Sequence, residues 1–399
     1  MRAALRWQGA ALMPGTWKNR SALHLRNDAL EVTVLASGGH IASLRCVGDP
    51  RAANMLWEAP WPTEDIGTPL HQQLVEDYGG GPTGVFFAGW TGHALCLDLF
   101  GAPDDGEASQ GMPLHGEAAS TAWDVIEAND YRCKMSVMLP IAALAVQRTF
   151  QLSPDEAVLY CTEDVVNHRD TERPVHWVQH VTLGPSFLEA GGARIGTSAR
   201  RGITWPLGYE GKPALADDTE FEFPMAPCAV NPDEQHDLRR PFQGSNTGFV
   251  VGLLNPPEEE FSWVTIVNPV AQALLAYVFR REDFPWLAIW EENGAREYKP
   301  WNGNTQVCGL EFGTTPLPLG RSDTRLRPSL FHTPTERLIG AGESVQARWV
   351  AIATESSPDW QKIESLLVKE DGVELTEGAK TRTVPACGIR RFLRGESVS

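Results

Sequence analysis

Cysteine is scarce and scattered in this 399-residue chain: seven residues, Cys46, Cys96, Cys133, Cys161, Cys228, Cys308 and Cys387, with no CxxC pair. An odd, dispersed set in a chain this long reads as reduced thiols filling a core, and it points to a cytoplasmic setting. Basic residues are also few. Against 51 Asp and Glu stand 34 Lys and Arg, a formal net charge of −17. Such a surface repels phosphate backbones and anionic lipid heads, so neither nucleic acid nor membrane is an expected partner. No apolar run reaches the length of a bilayer span, Pro269–Phe279 being among the most apolar segments, and residues 1–20 lack the sustained apolar stretch of a leader. The phosphate-cradling GxGxxG and GxxxxGK[ST] patterns, HExxH, the EF-hand spacing and the GxSxG elbow are all missing. Nucleotide, zinc-protease, calcium-loop and serine-hydrolase chemistry therefore lack their signatures.

Glycine (37) and proline (29) together make roughly a sixth of the chain, which leaves little room for long helices and favours short elements joined by turns. Alternation of period two begins at Leu30–Ala36 and recurs at Ile41–Leu44, Ala122–Ile126, Arg132–Met138, Ala145–Leu152, Ala157–Val166, His176–Leu183, Phe249–Leu254, Ser262–Asn268, Thr305–Phe312 and Val345–Thr354. So many half-apolar strands bury their faces only against a second sheet. The expected fold is all-β, a large antiparallel sandwich. Residues 58–120 and 189–245 show little period and read as long loops at one end of it, and loops of that length usually carry function. From Ser357 the pattern changes: Ser357-Pro358 suits a helix start, with Trp360, Ile363, Leu366 and Leu367 on one face. The expected organisation is a sandwich over residues 1–354 and an accessory helix and tail over 355–399.

Several residues stand out chemically. His176 and His180 are four apart, but VHWVQHVTL alternates like a strand, which separates them by about 13 Å, too far for one metal; no metal site is expected. His115 is fixed between Pro113 and Gly116, and reads either as an exposed turn residue or as a functional imidazole. His180 has the same two readings, core or functional. The stretch Phe284–Pro318 holds Trp286, Trp290 and Trp301 among carboxylates and turn residues. Flat aromatic faces beside carboxylates suit a sugar ring, although tryptophans also plug the ends of sandwiches. Glu311 lies between Leu310 and Phe312, and a glutamate in a partly dry hollow there would gain the pKa of a useful general base. Asp283 and Glu291 are candidate hydroxyl partners. Glu291 and Glu292 are also candidates to form a catalytic carboxylate pair with Glu311.

Five segments in order, LEVTVLASGGHIASLR followed by Asn54–Trp57, PLHGEAASTAWDV, VQHVTLGPSF, VCGLEFGTTPLP and GAGESVQARWVAIAT, resemble the aldose 1-epimerase (galactose mutarotase-like) superfamily over about residues 25–354. The resemblance implies a β-sandwich with a sugar groove on one face, His115 and His180 as the two site histidines, and Glu311 as general base. It implies anomer interconversion by ring opening at C1 and O5, on a small sugar or short oligosaccharide, with no cofactor. Trp290 is expected beside the sugar, with Trp286 more structural. Ala119 stands where the phosphosugar branch has an arginine, which disfavours a phosphorylated substrate. Two other uses of such a groove are a non-catalytic carbohydrate-binding protein and an enzyme that cleaves oligosaccharides.

Overall fold

In the computed structural model, residues 15–48, 53–188 and 191–396 are described. Residues 1–14, where the leader was sought, lie outside them, as do 189–190 at the head of the second loop region and 397–399 at the end of the tail. Two large sheets dominate: one of thirteen strands and one of eight among the described residues, with nearly every pairing antiparallel. The chain is an all-β sandwich.

Part of the smaller sheet obeys the simple alternation rule, while Phe261–Asn268 and Ala273–Arg280 are buried on both faces. Arg132–Leu139 and Leu144–Leu152 bury every second residue and leave the others half-exposed. The larger sheet departs from it as well. Its central strands, His93–Asp98, Arg173–Leu183, Trp286–Asn293 and Gln306–Gly313, are buried on both faces. One face meets the other sheet; the second is covered by the excursion between residues 54 and 120. A strand covered twice loses its polar alternation. This loss hides His93–Asp98 and Trp286–Asn293 from a search for alternation, and it hides Ala273–Arg280 in the smaller sheet too, whose outer face the C-terminal segment covers.

Between the sheets, Trp177, Leu310 and Phe312 meet Phe150, Tyr277, Phe279 and Trp349. The Phe279 and Phe312 rings stack at 4.3 Å, 3° from parallel. A fully buried ion pair lies in this core: Arg148 Nε donates to Glu163 Oε1 at 2.9 Å. Trp177 Nε1 and Gln179 Nε2 each donate to Glu163 Oε2 at 2.7 Å. Two charges taken from water persist only with such full hydrogen bonding.

The excursion that covers the larger sheet is not all loop. Helix Pro69–Asp77 starts with Thr68 accepting from the His71 N–H and Pro69 in its first turn. Helix Gly81–Phe87 follows and packs close to it; a Cβ on Gly84 would meet the Val75 carbonyl oxygen at 2.3 Å. Their apolar sides join Trp57, Trp61 and Trp90 over the sheet. The 189–245 stretch likewise contains short strands, Arg201–Thr204 and Glu220–Glu222, that extend the large sheet.

The tail corrects the expected helix. Residues 358–367 are not helical; Ser365–Val368, Gly372–Glu377 and Lys380–Pro385 form a three-stranded sheet, and the helix comes later, at Ile389–Arg394. Leu366 and Val368 are buried while Leu367 is exposed, a period of two that a four-residue apolar spacing had disguised. Trp360, Ile363 and Leu375 cover the outer face of the smaller sheet against Tyr160, Trp263 and Val350.

Candidate active site

The covered face of the larger sheet is where the site residues converge. On strand Arg173–Leu183 the even-numbered residues face outward from the sandwich core, and on Gln306–Gly313 the odd-numbered ones do. Register places His180 directly opposite Glu311. The next neighbours across are Ala94 on one side and Ala288 on the other, small residues that leave the pair in a hollow. His180 Nε2 is 3.2 Å from Glu311 Oε1, though that oxygen receives no aligned hydrogen bond. The other ring nitrogen, Nδ1, is 3.0 Å from Thr182 Oγ1, two residues along the same face. Gly309 makes room for the carboxylate: a Cβ there would stand 2.3 Å from Glu311 Oε1 and 3.1 Å from Trp290.

His115 reaches the same hollow from the opposite side. Its φ is +63° and that of Gly116 is +81°, so two successive left-handed residues turn the chain sharply. The His115 N–H donates to the Gly101 carbonyl at 3.0 Å, which pins the turn. Its ring lies 5.1 Å from the His180 ring and 4.8 Å from Phe86, and its Nδ1 is buried without a partner. Trp90 and Trp290 stand edge-on to His180 at 5.5 and 5.9 Å. Above these groups opens a cavity of about 480 Å³, walled largely by aromatic side chains, with Trp301 among them.

Burial sets the charges. It pushes the Glu311 carboxyl up to about 8, with no cation close enough to offset it. It also draws His180 down to about 4, and holds His115 well below the usual imidazole range, with the neighbouring His180 and Arg296 adding to the effect. Near neutrality the pair therefore carries one proton, on Glu311, beside a neutral imidazole. A carboxyl and an imidazole that share one proton across 3.2 Å can give and take protons on a ligand above them.

Of the expected residues, His115, His180, Glu311, Trp290 and Trp301 meet at this cavity. Three others do not line it. Asp283 is buried in a salt link with Arg280, at 2.8 Å, and Arg337, at 3.4 Å. Trp286 shares a strand face with Trp290 but is four residues away, fully buried, donating from Nε1 to the Pro334 carbonyl at 2.8 Å. Glu291 points the other way, into the sandwich, where it accepts from the Phe242 N–H at 2.8 Å and burial raises its carboxyl to about 7. Strand parity explains the last case, since 290 and 291 must face opposite sides. Glu292 faces the cavity side but is occupied: it accepts from Tyr209 Oη at 2.8 Å and from the Ala295 N–H at 2.5 Å.

Arg296 and Tyr209 were not anticipated. The Arg296 guanidinium lies over Trp301 and Tyr209, 5.1 Å from each ring, at the cavity wall. A lone arginine among aromatics, in NGAREYKPW, was the available signal. Tyr209 lay in a stretch with no period. Among the described residues no cluster of three or more His, Cys, Asp or Glu could hold a metal ion, and no helix is long and apolar enough to cross a membrane.

No protein-family model matches the chain, and no curated protein matches it. Solved structures do. A provisionally assigned aldose 1-epimerase from Klebsiella pneumoniae aligns with 87% of this chain and 82% of its own, at 15% identity and a TM-score of 0.57. A galactose mutarotase related enzyme from Lactobacillus acidophilus aligns with 84% of this chain and 98% of its own, at 13% identity and a TM-score of 0.53. A galactose mutarotase-like protein from Clostridium acetobutylicum aligns with 86% of this chain and 97% of its own, at 13% identity and a TM-score of 0.53. The chain has the galactose mutarotase-like fold.

Proposed function

We propose that this chain, built on the galactose mutarotase-like fold, is a carbohydrate epimerase that interconverts sugar anomers by opening and reclosing the ring. The observation that carries the reading is the His180–Glu311 pair, 3.2 Å apart at the floor of an aromatic-walled cavity. A pyranose presents apolar C–H faces to such walls and turns C1–OH and O5 toward the floor.

Transfer of the shared proton from Glu311 to His180 gives a carboxylate beside an imidazolium. Glu311 then takes the proton of the C1 hydroxyl while His180 delivers one to O5. The C1–O5 electron pair goes to O5, the bond breaks, and C1 becomes the aldehyde carbon. Rotation about C1–C2 presents the other face of the carbonyl; O5 attacks it, returns its proton to His180, and O1 takes one from Glu311. His115, with an unfilled Nδ1 over the same hollow, is suited to hold a ring or hydroxyl oxygen in place. The sequence of steps consumes nothing and leaves the pair as it began.

Cleavage by paired carboxylates is less well supported. Glu291 faces the sandwich interior, and Glu292 is held by Tyr209 and two backbone N–H groups. The proposal is tested by saturation-transfer NMR on aldoses at their anomeric equilibrium. Glu311→Gln and His180→Ala should each abolish catalysed exchange. Wild-type exchange in either variant, or sugar binding by calorimetry with no exchange in the unaltered protein, refutes it.

A further inference from the structure

We infer that Arg321, a buried arginine that no step of the proposed reaction employs, is the positioning residue for His115. It ties together the two ends of the arch 98–107, on which the His115 turn is built. The inference rests on the epimerase reading only for what His115 does in the site, which is to hold a substrate oxygen.

The turn cannot hold itself. His115 and Gly116 are successive left-handed residues, with φ of +63° and +81°. Such backbone persists only where its surroundings over-determine it. The amides around it bond outward instead of joining a ladder. Met112 N–H donates to the Glu107 carbonyl at 3.0 Å, Leu114 N–H to the Pro82 carbonyl at 3.1 Å, and His115 N–H to the Gly101 carbonyl at 3.0 Å. Two of these three acceptors belong to the arch. Where the imidazole stands therefore depends on where the arch stands.

Arg321 fixes the arch to the sheet. Its Nη2 donates to the Asp98 carbonyl at 3.0 Å and to Asp98 Oδ2 at 3.1 Å, at one end of the arch. Its Nε donates to Glu107 Oε1 at 2.8 Å, at the other end, in helix Asp105–Ser109. The remaining arm, Nη1, donates at 2.9 Å to the carbonyl of Pro174, on the strand that carries His180. One planar guanidinium thus links three chain segments, a task for which a lysine ammonium lacks the fork.

The backbone before Arg321 lies directly on the arch. A Cβ on Gly101 would stand 2.3 Å from the Pro318 carbonyl oxygen, and one on Gly320 would stand 3.0 Å from that of Ala102. The sheet adds a second anchor: Phe100 N–H donates to His176 Nδ1 at 3.0 Å, and the Phe100 ring lies 5.8 Å from the His115 ring. Asp98 is also paired with Arg173, so a variant lacking Arg321 keeps one cation on that buried carboxylate.

Hydrogen–deuterium exchange reads the arch whether or not the protein is active. In Arg321→Lys the amides of residues 112–116 should exchange at least about tenfold faster than in wild type, while those of the His180 and Glu311 strands stay as they are. Saturation-transfer NMR on an aldose reads the chemistry. Arg321→Lys should lower kcat/KM by at least about tenfold through misplacement of the imidazole, with both limbs of the pH profile unmoved because the His180–Glu311 pair is intact. In a His115→Ala background the same substitution should cost less than about twofold, since the group it positions is gone. Unchanged amide exchange over 112–116, or an equal loss of rate with and without His115, overturns the inference. Glu107→Ala severs one arm at a half-buried helix; it should give the same pattern, and it replaces Arg321→Lys if that variant does not fold. Absence of sugar exchange in the wild type means that the epimerase reading has failed. In that event, or if His115→Ala leaves no rate to compare, the amide rates alone decide whether Arg321 holds the turn.

Discussion

His180 Nε2 faces Glu311 Oε1 across 3.2 Å, with no aligned hydrogen bond to fix a proton on either side. The pair titrates as a unit. Burial holds the carboxyl near 8 and the imidazole near 4, so a single proton resides between them over that interval. Catalysed exchange should follow a bell in pH. Its acid limb, near 4, marks a second proton on the pair; its alkaline limb, near 8, marks loss of the last one. A profile of kcat/KM against pH on a neutral aldose checks this, and a rate still climbing from pH 8 to 10 would contradict it.

The same burial has a cost in stability, and its sign is fixed. The Glu311 carboxyl moves from an ordinary 4.5 to about 8 in the folded protein. A raised pKa means that its contribution is fully present below the unfolded value and is lost as pH rises through about 8. Glu311→Gln, which cannot ionise, should therefore lose activity yet unfold at a higher temperature than wild type at pH 9. At pH 5 the two should melt within a degree or two, since about one kcal/mol shifts Tm by only a few degrees. Scanning calorimetry at the two pH values separates this from a general gain in packing, which would be equal at both.

Gly309 is the counterpart in space to that carboxylate. A methyl group there would stand 2.3 Å from Glu311 Oε1 and 3.1 Å from Trp290. Gly309→Ala should push the carboxylate off the His180 axis and cut kcat about a hundredfold, the usual consequence of a displacement near 1 Å. Overpacking should cost only about 1–3 kcal/mol of stability. Urea unfolding together with exchange kinetics checks both halves. Unchanged kcat in Gly309→Ala would mean that Glu311 has another place to go.

Under the site floor, Arg148 and Glu163 are both wholly buried and joined at 2.9 Å. Arg148→Met should remove the cation and leave the Glu163 carboxylate uncompensated, costing about 3–5 kcal/mol. Arg148→Met/Glu163→Leu should recover much of that, because no orphan charge remains. Urea midpoints of the two variants test the sign of the difference; a double variant weaker than the single one would refute it.

Which parts of this were legible in the sequence follows from how each strand is covered. Leu144–Leu152 and Ser344–Glu355 keep polar residues on one side for much of their length, and their period shows. His93–Asp98 is apolar on both faces except at its ends, because the excursion above it seals the second face, and nothing in six residues marks it as a strand. The site was legible where strand parity could be counted: His180 and Glu311 were found from alternation and resemblance together. Asp283, Trp286 and Glu291 are suggested by carboxylates lying beside tryptophans in sequence, but such neighbourhood says little about which face a side chain takes; Trp286, expected to be more structural, is fully buried away from the cavity. Arg296 and Tyr209 come to the cavity from turns, and their placement depends on long-range packing that no local pattern encodes.

The tail meander offers a test of separation between stability and chemistry. Leu375 is wholly buried against the outer face of the smaller sheet, on the far side of the sandwich from Glu311. Leu375→Asp would place an unpaired carboxylate in that seam, a change large enough to detach the meander. The detached state exposes Trp263 and Val350, so the variant should bind a hydrophobic dye and melt several degrees lower. The floor of the site is built on the other sheet and touches none of these residues. Exchange kinetics measured below the melting temperature should therefore stay within about twofold of wild type, since substitutions far apart with no shared partner act independently. A loss of kcat equal to that of Gly309→Ala would show instead that the meander is coupled to the His180–Glu311 pair through the sandwich core.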